Sequence, residues 1–440
     1  MSFMLLGILN SQASGGVAYW ITSLGDTQGD VLYALATDNE TNVYSIGESK
    51  SAGAGSDDYI IVKYDAAGAV LWSRSLGGLA ADTGNAITID SSNNVIVNGD
   101  SRSPSLSNKK LLIAKYNSSG TIQWQRDLGG ASDENMGLGV SSDSAGNIYV
   151  AGSSRTTSSG SADFLLAKYN SGGTLQWQRV LGGASDDTAY AVTVDSSDNI
   201  YLGGYTESSG AGGRDILLAK YNSGGTIQWQ RVLGGSTTDL ASGLVTDSSD
   251  NIYLAGLHID GTDRIAVAKY NSGGTLQWQR TLDGAGAEQG RAIAIDTDNN
   301  IYLTGNTSSD GAGSNDFIIA KYNSGGTIQW QRTLGTTGSE VGRGIAIGSD
   351  GSLFVGGYVS TIGTGGAEFL VAKLPNDGSL TGTYVLGGVN IVYEAATLTD
   401  AAGALTGATP SLTDQAGGLT GATPTNTDAS VSFTQYITEL

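Results

Sequence analysis

The chain has no cysteine among its 440 residues, only four prolines and one histidine, and 22 basic residues against 42 acidic ones, for a formal charge of −20. Without cysteine there is no disulfide framework, thiolate zinc site or cysteine nucleophile, and redox chemistry gives no reading of the compartment. A chain this acidic repels a phosphate backbone, so nucleic acid is not an expected partner. No apolar run approaches the roughly 20 residues needed to cross a bilayer as a helix, so a membrane span is not expected and the chain is read as soluble. Between residues 17 and 374 no apolar period of a helix is sustained, so helices should be nearly absent.

What the chain does have is repetition. Its seven tryptophans stand at 20, 72, 124, 177, 229, 278 and 330, at intervals between 49 and 53 residues. In the clearest copies the unit reads G-G-T-I-Q-W-Q-R-T-L-G, then Ala292 to Asp296, Asn300 to Leu303 and Phe317 to Tyr322. These are four short β-branched or aromatic runs bounded by Gly, Asn, Ser and Asp, the chemistry of strands separated by turns. A period near 50 with four strands per copy predicts a β-propeller, because one such sheet cannot bury both of its flanks and must stack on neighbours around an axis. Lysine ends the third element of each copy, at Lys63, Lys115, Lys168, Lys220, Lys269, Lys321 and Lys373, and gives the same count.

Only small side chains fit where seven strands converge. The strand after the tryptophan strand carries Ala34, Ala86, Gly137, Ala191, Gly243, Ala292 and Gly344, so it is expected innermost, with the tryptophan strand outermost and its indole acting as packing between sheets. Residues 344–373 supply three strands of a seventh blade, and residues 17–25 form an orphan outer strand at the other end of the chain. Joining them would seal the ring. Residues 379–386, with Gly382 in the tryptophan slot, are a weaker candidate, and Trp20 is the expected closure. The expected fold is thus all-β: a seven-bladed β-propeller of four-stranded antiparallel blades over residues 17–374, closed by the N-terminal strand and followed by a C-terminal extension, 375–440.

Candidate chemistry is sparse. An acid stands four residues before each small residue, at Asp30, Asp82, Asp133, Asp187, Asp239, Glu288 and Glu340. These seven carboxylates are expected to ring one mouth of the channel, either as a cation site or as caps of their own turns. Sevenfold recurrence argues for architecture, so asymmetry is the better guide to a ligand. The position just before the small residue reads Tyr33, Asn85, Met136, Tyr190, Ser242, Arg291 and Arg343. A site made of Tyr33, Tyr190, Glu288, Arg291, Glu340 and Arg343 could hold a sugar or a carboxylate, with arginine as a forked donor and tyrosine as a stacking face. The alternative is surface side chains paired with Glu288 and Glu340. Strings such as Asp195-Ser196-Ser197-Asp198-Asn199 look like calcium loops but lack the bidentate Glu of an EF-hand, so an Asx-turned hairpin is expected, with no metal and no cofactor. His258 has no partner visible in sequence and is expected at the surface, outside any catalytic triad. Ser/Gly-rich loops of unequal length, around 49–56, 101–108 and 153–161, are where recognition is expected.

The strings A-K-Y-N-S-G-G-T, D-S-S-D-N-I-Y-L and W-Q-R-x-L-G-G resemble the bacterial β-propeller repeat family called SBBP, over residues 17 to about 374. That resemblance implies the propeller fold, a secreted or surface setting, and binding or scaffolding rather than a reaction. Residues 1–25 carry no charged side chain and lack the basic region of a secretory signal. The apolar stretch within them, Phe3, Met4, Leu5, Leu6, Ile8 and Leu9, is therefore expected to serve assembly, making residues 1–16 an anchoring peptide buried in a partner. Residues 1–14 also resemble the short uncharged starts of virion structural proteins of marine tailed phages. Residues 374–440 contain no Lys or Arg and carry a 14-residue duplication from Leu398 to Thr425. Such a segment is either a disordered tail or a β-rich assembly segment that orders against neighbouring chains, and the leucines at 398, 405, 412 and 419 do not make a coiled coil amid so much Gly and Thr. The expected function is a non-enzymatic binding or scaffolding propeller, a structural or appendage protein of a tailed-phage virion. Its partners would be other virion proteins or copies of itself, and a host-surface glycan or protein. The alternatives are a secreted bacterial propeller for adhesion or glycan binding at the cell surface and, less favoured, a propeller hydrolase or lyase.

Overall fold

In a computed structural model the chain is described from residue 17 to 439, apart from short segments at 26–27, 51–52, 54–55, 103–108, 130–133, 156–160, 363–365, 409–412, 417–420, 423–426 and 431–433; beyond 408 the strands are described by their backbone pairing. Every regular element among the described residues is a strand. They form seven antiparallel sheets. Blades 1 to 6 are consecutive, residues 30–77, 82–128, 135–182, 187–234, 239–283 and 288–335. Blade 7 takes three strands from residues 340–374 and its fourth from Trp20–Gly25, with Trp20 opposite Lys373 and Leu24 opposite Phe369. The expected closure by Trp20 is what the ring uses, and residues 382–386 lie elsewhere.

Apolar residues cluster between sheets rather than within them. One cluster joins Trp20, Leu24, Phe354 and Phe369 of blade 7 to Val43, Ile60 and Tyr64 of blade 1. The third strands, such as Asp58–Tyr64, are buried along their whole length because both faces meet a neighbouring sheet.

The turns of one rim bind each blade to the next. The Trp72 Nε1 donates to the Ser118 carbonyl at 3.1 Å, and the Arg74 Nε donates to the Gly120 carbonyl at 2.7 Å. The same two bonds recur from Trp124 and Arg126, Trp229 and Arg231, and Trp278 and Arg280. Gly120 has a φ of +75°, and a Cβ there would stand 2.8 Å from the Trp72 ring, so the turn requires glycine twice over, for its backbone and for its contact. The aspartate that opens each D-S-S-D-N turn holds the inner part of the blade. Asp247 accepts bonds from the amides of Ser249 and Asn251, the Asn251 side chain and the Tyr253 hydroxyl, and its Oδ2 lies 3.5 Å from the Lys269 Nζ. The calcium-like strings are thus Asx-turned hairpins, the carboxylate that opens each one engaged by its own blade.

The C-terminal segment differs from expectation: it orders against the chain's own blades. A hairpin, Gly382–Leu386 and Val389–Ala395, adds to the outer strand of blade 6. Six further strands then pair in turn with the outer strands of blades 5, 4, 3, 2, 1 and 7, running backwards around the ring. Their register repeats: Thr399 faces Asp283, Thr406 faces Gly234, Thr413 faces Gly182, Thr427 faces Gly77 and Thr434 faces Gly25. The seven-residue period is the step from blade to blade, about 23 Å of extended chain. Leu398 and Leu405 are buried in the clefts between blades, and the side-chain amides of Gln331 and Gln279 donate to their carbonyls.

Candidate binding site at the channel mouth

Each innermost strand carries a β-bulge. The register shifts between Leu32 and Ala34, Gly84 and Ala86, Gly137 and Gly139, and at the equivalent place in the other four blades. A bulge leaves one residue unpaired and re-aims its side chain, and here the seven extra residues are Tyr33, Asn85, Leu138, Tyr190, Ser242, Arg291 and Arg343, all of which line the axial channel. In blade 3 the small residue of the repeat is Gly139, not Gly137. The channel residue is therefore Leu138 in place of Met136, and the acid position is filled by Asn135 in place of Asp133. Asp133 itself lies outside the described residues.

The cavity encloses about 200 Å³. Its basic side spans three consecutive blades, 6, 7 and 1, through Arg291, Arg343 and Tyr33. The Arg343 guanidinium lies over the Tyr33 ring at 4.9 Å and near Tyr358 at 5.8 Å. Arg291 is bonded to the Gln289 side-chain oxygen, and Gln289 in turn donates to Asp263 Oδ2 at 2.7 Å. Neither arginine forms an ion pair among the described residues, and the Nε of each is buried with no hydrogen-bond partner. Burial, and then the facing Arg343, lowers the proton affinity of Arg291. Burial followed by Glu48 raises that of the Tyr33 hydroxyl, which donates to Glu48 Oε1 at 3.2 Å. Tyr190, in blade 4, stacks beside Tyr205 with centroids 5.9 Å apart, and Tyr205 carries the Arg214 guanidinium at 4.3 Å.

Glu288 and Glu340 are not part of this lining. Both are fully buried at the start of their strands, where Glu288 accepts from the Gly284 amide at 2.7 Å and Glu340 from the Thr336 amide at 2.8 Å and its hydroxyl at 2.8 Å. Asp82, Asp187 and Asp239 make the equivalent bond to Gly78, Gly183 and Gly235. The expected ring of carboxylates at the channel mouth is therefore a set of buried loop caps, displaced outward into the clefts between blades.

There five of the caps meet a second acid that sequence reasoning missed, at the start of the third strand of the preceding blade: Asp58, Asp163, Asp215, Asp316 or Glu368, with Lys110 and Arg264 in the other two blades. A Cβ on Gly335 would stand 1.7 Å from Asp316 Oδ1 and 2.9 Å from Glu340 Oε2, and one on Gly77 stands in the same relation to Asp58 and Asp82. Burial raises the affinity of Glu340 for its proton, against the Thr336 bonds, and Asp316 adds to the rise; burial and Asp239 do the same for Asp215, against the Gly212 amide. The Asp or Glu before the third-strand apolar run in five of the seven blades was the available signal. His258 departs from the expected surface position: it is 8% exposed, and its Nδ1 lies 2.6 Å from Asp239 Oδ1. The sheet register places it directly opposite Asp239, where four other blades have serine or threonine capable of the same contact. The assembly residues Phe3, Met4, Leu5, Leu6, Ile8 and Leu9 lie outside the described residues, as do parts of the loops assigned to recognition.

A closed ring of seven four-stranded sheets, with a bulged inner strand feeding one side chain per blade into the channel, defines a β-propeller. Its repeats are of the SBBP type: the family model described as "Beta-propeller repeat" matches residues 176–210 and 284–311, and "Domain of unknown function (DUF5122) beta-propeller" matches residues 146–175. The chain is 25% identical over 226 residues to the "Uncharacterized WD repeat-containing protein L264" of Acanthamoeba polyphaga mimivirus, covering 44% of this chain and 14% of that protein. It is 28% identical over 165 residues to the "Regulatory protein FlaEY" of Caulobacter vibrioides, covering 32% of this chain and 17% of that one. The matches thus span a small part of either relative's length. Among solved structures, the periplasmic gluconolactonase PpgL of Pseudomonas aeruginosa is similar with a TM-score of 0.46 at 12% identity, over 85% of this chain and 99% of that one.

Proposed function

We propose that the protein is a non-enzymatic binding propeller whose ligand site is the arginine side of the channel mouth, and that the ligand presents a carboxylate, as an acidic sugar or a protein side chain does. The observation that carries this reading is the pair Arg291 and Arg343. In a chain of charge −20 these two guanidiniums sit on adjacent blades without an acidic partner among the described residues, each with a buried, unbonded Nε. Two facing cations cost energy unless an anion completes them, and the forked geometry of arginine suits a carboxylate. Tyr33 and Tyr358 supply flat faces beside Arg343 for the body of a sugar. Glu288 and Glu340, the carboxylate pair on which a hydrolase or lyase reading would rest, face the clefts between blades.

The setting on a tailed-phage virion, with copies of the chain or other virion proteins as neighbours, rests on the resemblance of residues 1–14 and belongs to the same proposal. Titration with glucuronate and sialate oligosaccharides, followed by calorimetry, tests the site. Saturable binding that falls at least about tenfold in Arg291→Gln/Arg343→Gln supports it, since a charge-assisted contact contributes about 1.5–3 kcal/mol. Affinity unchanged in that double variant, or turnover of any oligosaccharide in the panel, contradicts it.

A further inference from the structure

One of the seven clefts between blades breaks the acidic pattern at three positions together. Where five blades have Asp58, Asp163, Asp215, Asp316 or Glu368 at the start of the third strand, blade 2 has Lys110; blade 5 has Arg264 there but keeps the acid Glu288 facing it. Where other blades open the first strand with an acid, blade 3 has Asn135. Blade 2 also places Asp127 opposite Leu112, a position held elsewhere by Ser23, Ser75, Val180, Val232, Thr281 and Thr333. All three departures converge. The Lys110 Nζ lies 3.1 Å from Asp127 Oδ2, and a Cβ on Gly129 would stand 2.8 Å from the Asn135 Nδ2 and 3.4 Å from the Lys110 Cγ. The Asn135 amide nitrogen of the main chain donates to the Lys109 carbonyl at 3.0 Å, fixing the two strand starts against each other.

Asn135 is fully buried, and among the described residues neither its side-chain nitrogen nor its side-chain oxygen has a hydrogen-bond partner. A primary amide left that way is costly and calls for a physical reason. A primary amide near a lysine chain whose amine is paired with a largely buried carboxylate has the three groups that transamidation needs. We infer that Lys110 and Asn135 form an intramolecular isopeptide bond, with Asp127 as the proton carrier, so that blades 2 and 3 are covalently joined.

The chemistry balances without an external reactant. Asp127 takes a proton from the Lys110 ammonium, and the neutral Nζ attacks the Asn135 Cγ. The Nζ–Cγ bond forms and the Cγ–Nδ2 bond breaks. The protonated Asp127 supplies the leaving nitrogen, which departs as ammonia and carries away the second proton released by Nζ as ammonium. Asp127 ends as it began, and no electrons change hands. In a chain without cysteine this is a route to a permanent cross-link between two sheets that otherwise share only packing and hydrogen bonds.

The purified full-length protein decides the matter by intact mass and tryptic mapping. The expected mass is below that of the sequence by one ammonia, with no cleavage at Lys110 and one branched peptide joining the Lys110 and Asn135 segments. Lys110→Arg and Asp127→Asn are each expected to restore the full mass, and the folded content of each is checked by circular dichroism. Wild-type protein at its full sequence mass, with the two segments recovered as separate peptides, overturns the inference. So does an ammonia deficit that persists in Lys110→Arg, which would place the loss elsewhere.

Discussion

The two rims of this ring are built on opposite rules. On the turn rim, blades 1 to 6 repeat the same arginine and aspartate bonds to the neighbouring blade and to themselves, and the aspartates that open the turns are partnered. Burial alone would raise the proton affinity of Asp247, but bonds from Asn251, Ser249 and Tyr253 hold it below the ordinary carboxylate range; Asp90 is held down against burial by Lys115 and Asn94. On the loop rim burial raises the proton affinities of Asp187, Asp215, Asp316 and Glu340, neighbouring acids add to the rise at Asp215, Asp316 and Glu340, and the blades differ. That rim holds the bulged channel mouth, the unpaired arginines and the Lys110 cleft. A repeat can carry variation on one rim because the other fixes blade spacing without it.

The sharpest break in this comparison is removal of a turn-rim anchor. Trp20, 1% exposed and bonded through Nε1 to the Ala66 carbonyl at 3.0 Å, joins the chain ends as well as two sheets. Trp20→Ala is expected to cost about 3–5 kcal/mol in urea unfolding, and a loss near zero would mean the ring does not depend on that strand. A finer test uses adjacent glycines. Gly274 has a φ of +78° and a Cβ there would stand 2.9 Å from the Trp229 ring, while the nearest atom to a Cβ on Gly273 is 3.4 Å away. Gly274→Ala should lose about 1–3 kcal/mol and Gly273→Ala less than about 0.5 kcal/mol.

The pH dependence of the two rims has opposite sign. Asp247, depressed in the folded state, contributes stability that is present above the ordinary carboxylate range and lost as pH falls through its folded value. Asp247→Asn should therefore cost about 1–3 kcal/mol at pH 7, with the difference from wild type shrinking toward pH 2. Asp215, raised in the folded state, contributes stability that is full below the ordinary range and lost as pH rises through its folded value. Asp215→Asn should gain up to about 1 kcal/mol at pH 7 by removing a buried charge and its repulsion from Asp239, and the gain should vanish in acid. Denaturation midpoints of both variants across that range read the two signs directly.

The ring was legible because its determinants repeat: the tryptophan spacing, the seven lysines and the small inner residues each counted the blades, and the orphan strand at Trp20 fixed the closure. The channel was less so. A bulge adds a residue without a compositional mark, and in blade 3 two glycines, Gly137 and Gly139, compete for the small position, which moved the reading to Met136 and Asp133. Glu288 and Glu340 were assigned to the channel because sequence spacing gives position along the strand but not which way the side chain leaves it. The leucine period from 398 to 419 was visible, yet its meaning needs the distance between blades, a property of the finished ring. His258 became a core residue through register alone.

Ring closure is tested most directly by a cysteine pair, for which this cysteine-free chain is a clean background. Thr22 and Val371 are paired across the closing strands. Thr22→Cys/Val371→Cys under mild oxidation is expected to give a monomer in which peptide mapping finds the 22–371 disulfide. Two free thiols in the folded monomer, or disulfides formed only between molecules, would contradict a ring sealed by the start of its own chain.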